Sequence, residues 1–514
     1  MGRLPAGEST LVALAVLGLL AATALPFALP LVASDSAPGS DAAGAVDTPG
    51  SAPPQGPAGS DGATPGTATT SDGTPGAGLY TGDEDGRGVL TPRVNGPGDA
   101  GDGEPYCRAG AAATPSAGLD SLATLDAEDP TGAGVTVAVL DPTGFDVEDP
   151  RYSEDVEAIA SFASREESSI GNDGFDQHGT ASAALVGRVA PDADLLLANF
   201  RTARDFTRAV EWALEADADV IVAPTVFYAK PDDGSVPVSR AVADAAEAGV
   251  PVVVPTGNAA QRHWAGVDDG EWVEFDDGRT RLPLEGSSDR VRLWLWWNES
   301  DAGEHNVTIH LYEETDEGPR RVARSRSYPV GPVGPNQVLV ESVETNDLLS
   351  RSVANGSYHV RVRAPDNATH RFELVSTTHE FADPVPRWSL AAPATARAPG
   401  VVAAGAAVPG ERRPMNRSGR GPTNDGRPGI DLLAPGGTPD GAGLSFTGTS
   451  AAAAYTGGVA ALLQEVDPDI SPAETERALE DSAATVPGYG TLAAGHGLLD
   501  ADDAVACAAN ATGP

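Results

Sequence analysis

Residues 134–141 read GVTVAVLD, a continuous apolar, β-branched run of the kind that a strand buried on both faces requires. Similar runs recur at 195–199, 219–223 and 250–255, and helix-like segments at 203–216 and 238–249 separate them. This alternation predicts an α/β fold, a parallel sheet with helices on both faces. It stops near Gln261 and resumes near Trp388. Between those points the period changes to two: Val291, Leu293 and Leu295, then Val307, Ile309 and Leu311, then Tyr358, Val360 and Val362. Half-buried antiparallel strands produce that pattern, so an inserted β-sandwich is expected. The α/β signals return as strands at 400–407 and 430–434 and a helix at 450–466. A last helix is expected from Ser471, with Pro472 in its first turn and Glu474 completing a capping box. The resulting division is 119–261 and 386–508 for one split α/β domain, 262–385 for the insertion, and 509–514 for a tail.

The chain before residue 119 has a different character. Residues 11–32 are almost wholly apolar behind Arg3 and end in small residues, as an export signal does. The stretch also reaches the ~20 residues that span a bilayer, so residues 1–34 are a cleaved signal or a retained membrane anchor. Residues 35–118 are rich in Gly, Pro, Asp, Ser and Thr and are expected to form a disordered linker. Six Asn-x-Ser/Thr sites, at Asn298, Asn306, Asn355, Asn367, Asn416 and Asn510, agree with export. The two cysteines, Cys107 and Cys507, bracket the α/β domain. Outside the cell they can form one disulfide pinning its ends; two free thiols are the alternative.

Charge narrows the partners. Lys and Arg total 33 against 74 Asp and Glu, a net charge of −41. Such a surface repels nucleic acid and anionic lipid. The excess runs through the whole chain, with Lys230 the only lysine, a pattern that resembles proteins working in concentrated salt.

Four polar sites follow strand-like segments: Asp141, the group Gln177-His178-Gly179-Thr180, the group Thr256-Gly257-Asn258, and Phe446-Thr447-Gly448-Thr449-Ser450. Carboxyl ends of parallel strands are where open α/β sheets place ligands. A serine hydroxyl needs an imidazole to take its proton, and the imidazole needs an anion to fix its tautomer. Ser450, His178 and Asp141 supply those types, and the Asn258 amide with the Ser450 N–H can receive an oxyanion.

Read as a set, VAVLDPTGFD, HGTASAALVGRVAPDADL, PTGN, SGRGPTNDGRPGIDLLAPGG and FTGTSAAAAYTGGVAALL resemble the subtilisin-like serine peptidases, in that family's order of Asp, His, Asn and Ser. The resemblance covers nearly all of 119–261 and 386–508. It implies a subtilisin-like fold and peptide-bond hydrolysis through an acyl-enzyme. Asp141 then orients, His178 is general base and acid, Ser450 is the nucleophile and Asn258 lines the oxyanion hole. Pro224, Thr225 and Val226 fall where the family pairs with substrate backbone. No cofactor is required for the chemistry, a structural calcium is compatible with the family, and the metal ligands are unknown. Protein or peptide substrates and a monomeric state are expected.

The sequence also departs from the family. Pro142 lengthens the turn after Asp141 and is expected to rotate the carboxylate, and Pro224 removes a donor from the substrate-pairing edge. These departures carry the alternative of a catalytically weak or inactive homologue acting as a cell-surface binding protein. Asp146, Asp149 and Asp173 are expected to be solvated surface. So are most of His263, His305, His310, His359, His370, His379 and His496. Trp294 and Trp296 share one strand face and are expected in core or interdomain packing.

Overall fold

A computed structural model describes residues 130–163, 177–228, 233–275, 278–286, 291–298, 307–325, 328–333, 336–344, 358–364, 370–438 and 446–511, with 81–82, 88–89 and 106–107. The expected signal or anchor at 1–34 and most of the linker lie outside the described residues. Within the linker, β1 (Thr81–Gly82) and β2 (Gly88–Val89) pair antiparallel, an ordered contact that its composition did not suggest. Among the described residues no helix is long and apolar enough to cross a membrane.

The α/β signals fold in sequence order into β3 (Thr136–Leu140), β4 (Val156–Ser161), α1 (His178–Val189), β5 (Asp194–Asn199), α2 (Ala203–Glu215), β6 (Val220–Val222), α3 (Pro237–Glu247) and β7 (Val252–Pro255). Two antiparallel sheets come next in the chain. Their strands are β8 (His263–Asp268), β9 (Leu282–Glu285), β10 (Arg292–Asn298), β11 (Thr308–Glu313), β12 (Arg320–Arg324), β13 (Tyr328–Val333), β14 (Asn336–Glu344), β15 (Tyr358–Arg363), β16 (His370–Ser376) and β17 (Glu380–Phe381). The chain then returns as β18 (Val401–Ala407), β19 (Leu432–Pro435), α4 (Thr449–Val466), α5 (Pro472–Asp481), α6 (Thr491–Ala494) and α7 (Ala501–Ala511). The capping box forms as expected, with Ser471 and Glu474 each accepting from the other's backbone N–H. That helix is not the last. The alanine-rich run of α7 adds another, because Ala carries the highest helix propensity.

The parallel sheet has seven strands in the order β19-β18-β7-β6-β3-β5-β4. Val137, Val139 and Val222 point into one core with α1, α4 and α7, while Ala138, Leu140 and Ile221 face α2 and α3 on the other side. This is why β3 shows no alternation: both its faces are covered. Helix α4 lies so close to the sheet that a Cβ on Gly457 would sit 2.2 Å from Val222 Cγ2. At its far end Glu465 Oε2 accepts from the N–H groups of Thr131, Gly132 and Ala133 at 2.6, 2.5 and 3.2 Å, fixing the segment that leads into β3.

The other two sheets, β13-β14-β10-β16-β8 and β12-β11-β15-β9-β17, have five strands each and enclose one core. Leu293, Leu295, Ile309, Leu311, Val360 and Val362 all sit in it, so the period-two reading holds there. Trp297 joins that core, whereas Trp294 faces outward and packs with Val375 on Ala259 of the α/β domain. Asn416 and Asn510 are exposed. Asn306, Asn355, Asn367 and the Asn298 side chain lie outside the described residues.

Candidate active site

Asp141 follows the last residue of β3 and is fully buried. Its Oδ1 accepts from the Thr143 N–H at 2.9 Å and the Thr143 hydroxyl at 2.8 Å, a local Asx turn. Its Oδ2 lies 2.6 Å from His178 Nδ1. Thr143 Oγ1 also accepts from the Gly179 N–H at 2.9 Å, so one hydroxyl joins the strand end to the start of α1. The expectation for Pro142 is therefore corrected. The extra residue is absorbed within the Asx turn, and the carboxylate still reaches the imidazole.

His178 opens α1, and its ring meets Phe446 edge-on at a centroid distance of 5.2 Å. Phe446 stands four residues before Ser450, so this contact holds the imidazole against the segment that leads into the serine's helix. Ser450 is the second residue of α4, where a backbone N–H has no intrahelical acceptor. Asn258 Oδ1 accepts from the Thr449 N–H at 3.1 Å, which leaves the Nδ2 protons as its free donors. Gly448 has φ of +113°, and a Cβ there would sit 2.7 Å from Asn258 Oδ1 and 3.1 Å from Nδ2, so only glycine fits beside the amide. Ser450, His178 and Asn258 are each 8–9% exposed, whereas Asp141 is sealed. A substrate can touch the first three but not the fourth. Phe446 and Thr449, within the group read from the sequence, support the site, and so does Thr143, which the sequence reading gave no role; the Asp-x-Thr spacing was its one available signal.

Pro224, Thr225 and Val226 follow β6 after Ala223 and are buried. Thr225 Oγ1 has no hydrogen-bond partner among the described residues, and Phe227 next to them pairs with Ala392. Cys107 and Cys507 are bonded, with their Cα atoms 5.1 Å apart. Asp149 departs from expectation: it is buried and paired with the Arg151 guanidinium, which holds its carboxyl below the usual range. Asp146 is exposed, and Asp173 lies outside the described residues. The histidine expectation also fails for His263, His310, His359 and His379, all buried in the insertion. Burial pushes His263, His310 and His379 down to about 4. His496 is exposed, and His305 and the His370 side chain lie outside the described residues.

Among the described residues one group could hold a metal ion. Carboxylate oxygens of Asp431, Glu476 and Glu480 lie within 4.8 Å of one another. Burial, reinforced by mutual repulsion at the two glutamates, raises Asp431 to about 6, Glu476 to about 8 and Glu480 to about 9. Raised folded-state values mean that this cluster contributes stability fully below the ordinary carboxylate range and loses it as pH rises through 6 to 9. In chelator, Glu480→Gln is expected to raise Tm at pH 9 by about 3–6 °C and to leave Tm at pH 5 unchanged. Thermal melts at the two pH values check this.

The sequence profile of the Subtilase family matches residues 338–500, a stretch that holds Ser450 but not Asp141, His178 or Asn258. Among solved structures, the CspB protease of Clostridium perfringens superposes with a TM-score of 0.54 at 19% identity, covering 74% of this chain and 94% of that one. The fold is subtilisin-like. A protease from Pseudoalteromonas arctica also matches, with a TM-score of 0.42 at 17% identity over 77% of this chain and 94% of that one. No curated protein sequence matches the chain.

Proposed function

We propose that this protein is a serine endopeptidase that cleaves peptide bonds through an acyl-enzyme on Ser450. The observation that carries the reading is the 2.6 Å contact between Asp141 and His178, whose ring packs on Phe446 in the segment leading to Ser450. The family match and the subtilisin-like fold support a subtilase-like peptidase. In the reaction, Asp141 holds the proton on Nδ1, leaving Nε2 to take the Ser450 hydroxyl proton as Oγ attacks the substrate carbonyl. The oxyanion sits between the Ser450 N–H and Asn258 Nδ2, which are set in place before charge develops. Collapse of the tetrahedral species expels the amine, which takes its proton from His178. Water then repeats the sequence on the ester and frees Ser450.

Digestion of an unfolded protein substrate, with fragments mapped by mass spectrometry, tests the reading. Internal cleavages that disappear after phosphonylation of the enzyme are expected; a folded enzyme that leaves every chain intact contradicts it. Asn258→Ala is expected to lower kcat by about 10²–10³ with little change in KM, because the amide meets the oxyanion rather than the ground-state substrate. Steady-state kinetics on one quenched peptide check that split.

The reading extends to an exported protein, secreted or tethered at the surface and adapted to high salt. The apolar stretch at 11–32, the Cys107–Cys507 bond and the net charge of −41 support it.

A further inference from the structure

The inserted sheets present two different outer faces. The face of β10 and β16 is turned to the α/β domain through Trp294 and Val375. The opposite sheet, β12-β11-β15-β9-β17, turns its outer face away from the shared core. Strand register decides what that face carries. His310 pairs with Arg361 on one side and Arg324 on the other, Tyr312 pairs with His359 and Arg321, and Thr308 pairs with Arg363. Paired residues share a face, so guanidinium groups from two strands collect around two buried imidazoles. Arg281, just before β9, joins them. In a chain with fewer than half as many basic as acidic residues, this concentration is unusual.

Two carboxylates of the chain already show what the face accepts. Glu271 Oε1 receives the Nε and Nη2 protons of Arg363 at 3.1 and 2.8 Å, and Glu314 lies 2.7 Å from His359 Nδ1. Arg281, Arg321 and Arg324 are exposed, and among the described residues none of them has a carboxylate within salt-bridge reach. The aromatic rings are less available. Arg361 lies 3.8 Å over the Trp272 ring, and Tyr312 stacks on His359 with centroids 5.0 Å apart and 1° between planes. Sugar stacking would need those ring faces, so fixed cationic donors are the chemistry on offer.

We propose that this face is an exosite for acidic stretches of the protein substrate, with Asp and Glu side chains of an extended segment bound by Arg281, Arg321 and Arg324. Alternate residues of an extended chain repeat about every 6.6–6.8 Å, the spacing of a strand's own outward rows, so acidic residues at i and i+2 match the face. Guanidinium–carboxylate contacts are strong and directional at contact distance, whereas steering over longer distances is screened in concentrated salt. The exosite role rests on the peptidase reading, but the binding does not.

The test uses the full chain with Ser450→Ala, so that capture is read without turnover. The probe is a fluorescent twelve-residue peptide alternating Asp or Glu with Ser, beside its Asn/Gln counterpart and a sulfated polysaccharide. Binding is measured by anisotropy at the lowest salt that preserves the native circular dichroism. The acidic peptide is expected to bind at least tenfold more tightly than the amide peptide, and R321E/R324E is expected to weaken it at least tenfold with unchanged circular dichroism. In the active enzyme the same pair should lower kcat/KM at least threefold for a substrate with an acidic flank and leave a short neutral peptide unaffected. Equal binding of the two peptides, no loss in the variant, or capture of the polysaccharide in preference to the acidic peptide would overturn the proposal. An enzyme inactive on every peptide that still shows the binding difference would instead contradict the peptidase reading.

Discussion

Ser450→Ala is expected to lower turnover by about 10⁶ and to leave the fold intact. The size follows from the way the group acts as a unit: without the nucleophile, neither His178 nor Asp141 has a proton to manage. What remains is expected to come from Asn258 and the backbone N–H at position 450, which would still polarise a bound carbonyl. The fold should survive because Ser450 lies in the first turn of α4 rather than in its middle, and the helix is fixed along its length by buried alanines and close glycine contacts. Quenched-peptide kinetics with circular dichroism on both proteins check the two halves of the expectation. A variant cleaving at the wild-type rate contradicts the role given to Ser450.

Asp141→Asn is expected to lower kcat by about 10⁴, the second largest effect. The substitution preserves shape but not donor and acceptor roles. At present Oδ1 accepts twice from Thr143, and Oδ2 faces His178 Nδ1. With the amide oxygen kept toward Thr143, the amide nitrogen faces Nδ1 and forces it to accept. The ring proton then moves to Nε2, where the base should be. Raising the pH should restore little of this loss, because the wrong tautomer is a neutral species. A pH profile of kcat for both proteins reads this directly, and a loss below about tenfold would show that Asp141 does not set the tautomer.

Much of this site could be read along the chain because its parts are short and contiguous. GVTVAVLD ends on Asp141, His178 opens its helix, and Ser450 stands two residues after Gly448, whose φ of +113° favours glycine. The capping box at Ser471 was equally local. What escaped was set by distant pairing. The turn after Asp141 looked disruptive because Pro142 was visible and the hydrogen bonds of Thr143 were not. His263, His310, His359 and His379 looked like surface residues because histidine is polar; the folded insertion buries all four. The orientation of Trp294 toward Ala259 depends on which sheet faces the α/β domain, and period two alone cannot choose. The same holds for the guanidinium face, which exists only once β11, β12 and β15 are in register. The carboxylate cluster joins Asp431 to Glu476 and Glu480 from another element, so no local pattern marks it.

The most direct measurement is intact-protein and peptide mass spectrometry after treatment with a fluorophosphonate, on wild type and Ser450→Ala, with circular dichroism on each. The account predicts a single adduct on Ser450 of the wild type and none on the variant. A folded wild type that takes no adduct, or an adduct at another residue that persists in Ser450→Ala, would contradict it.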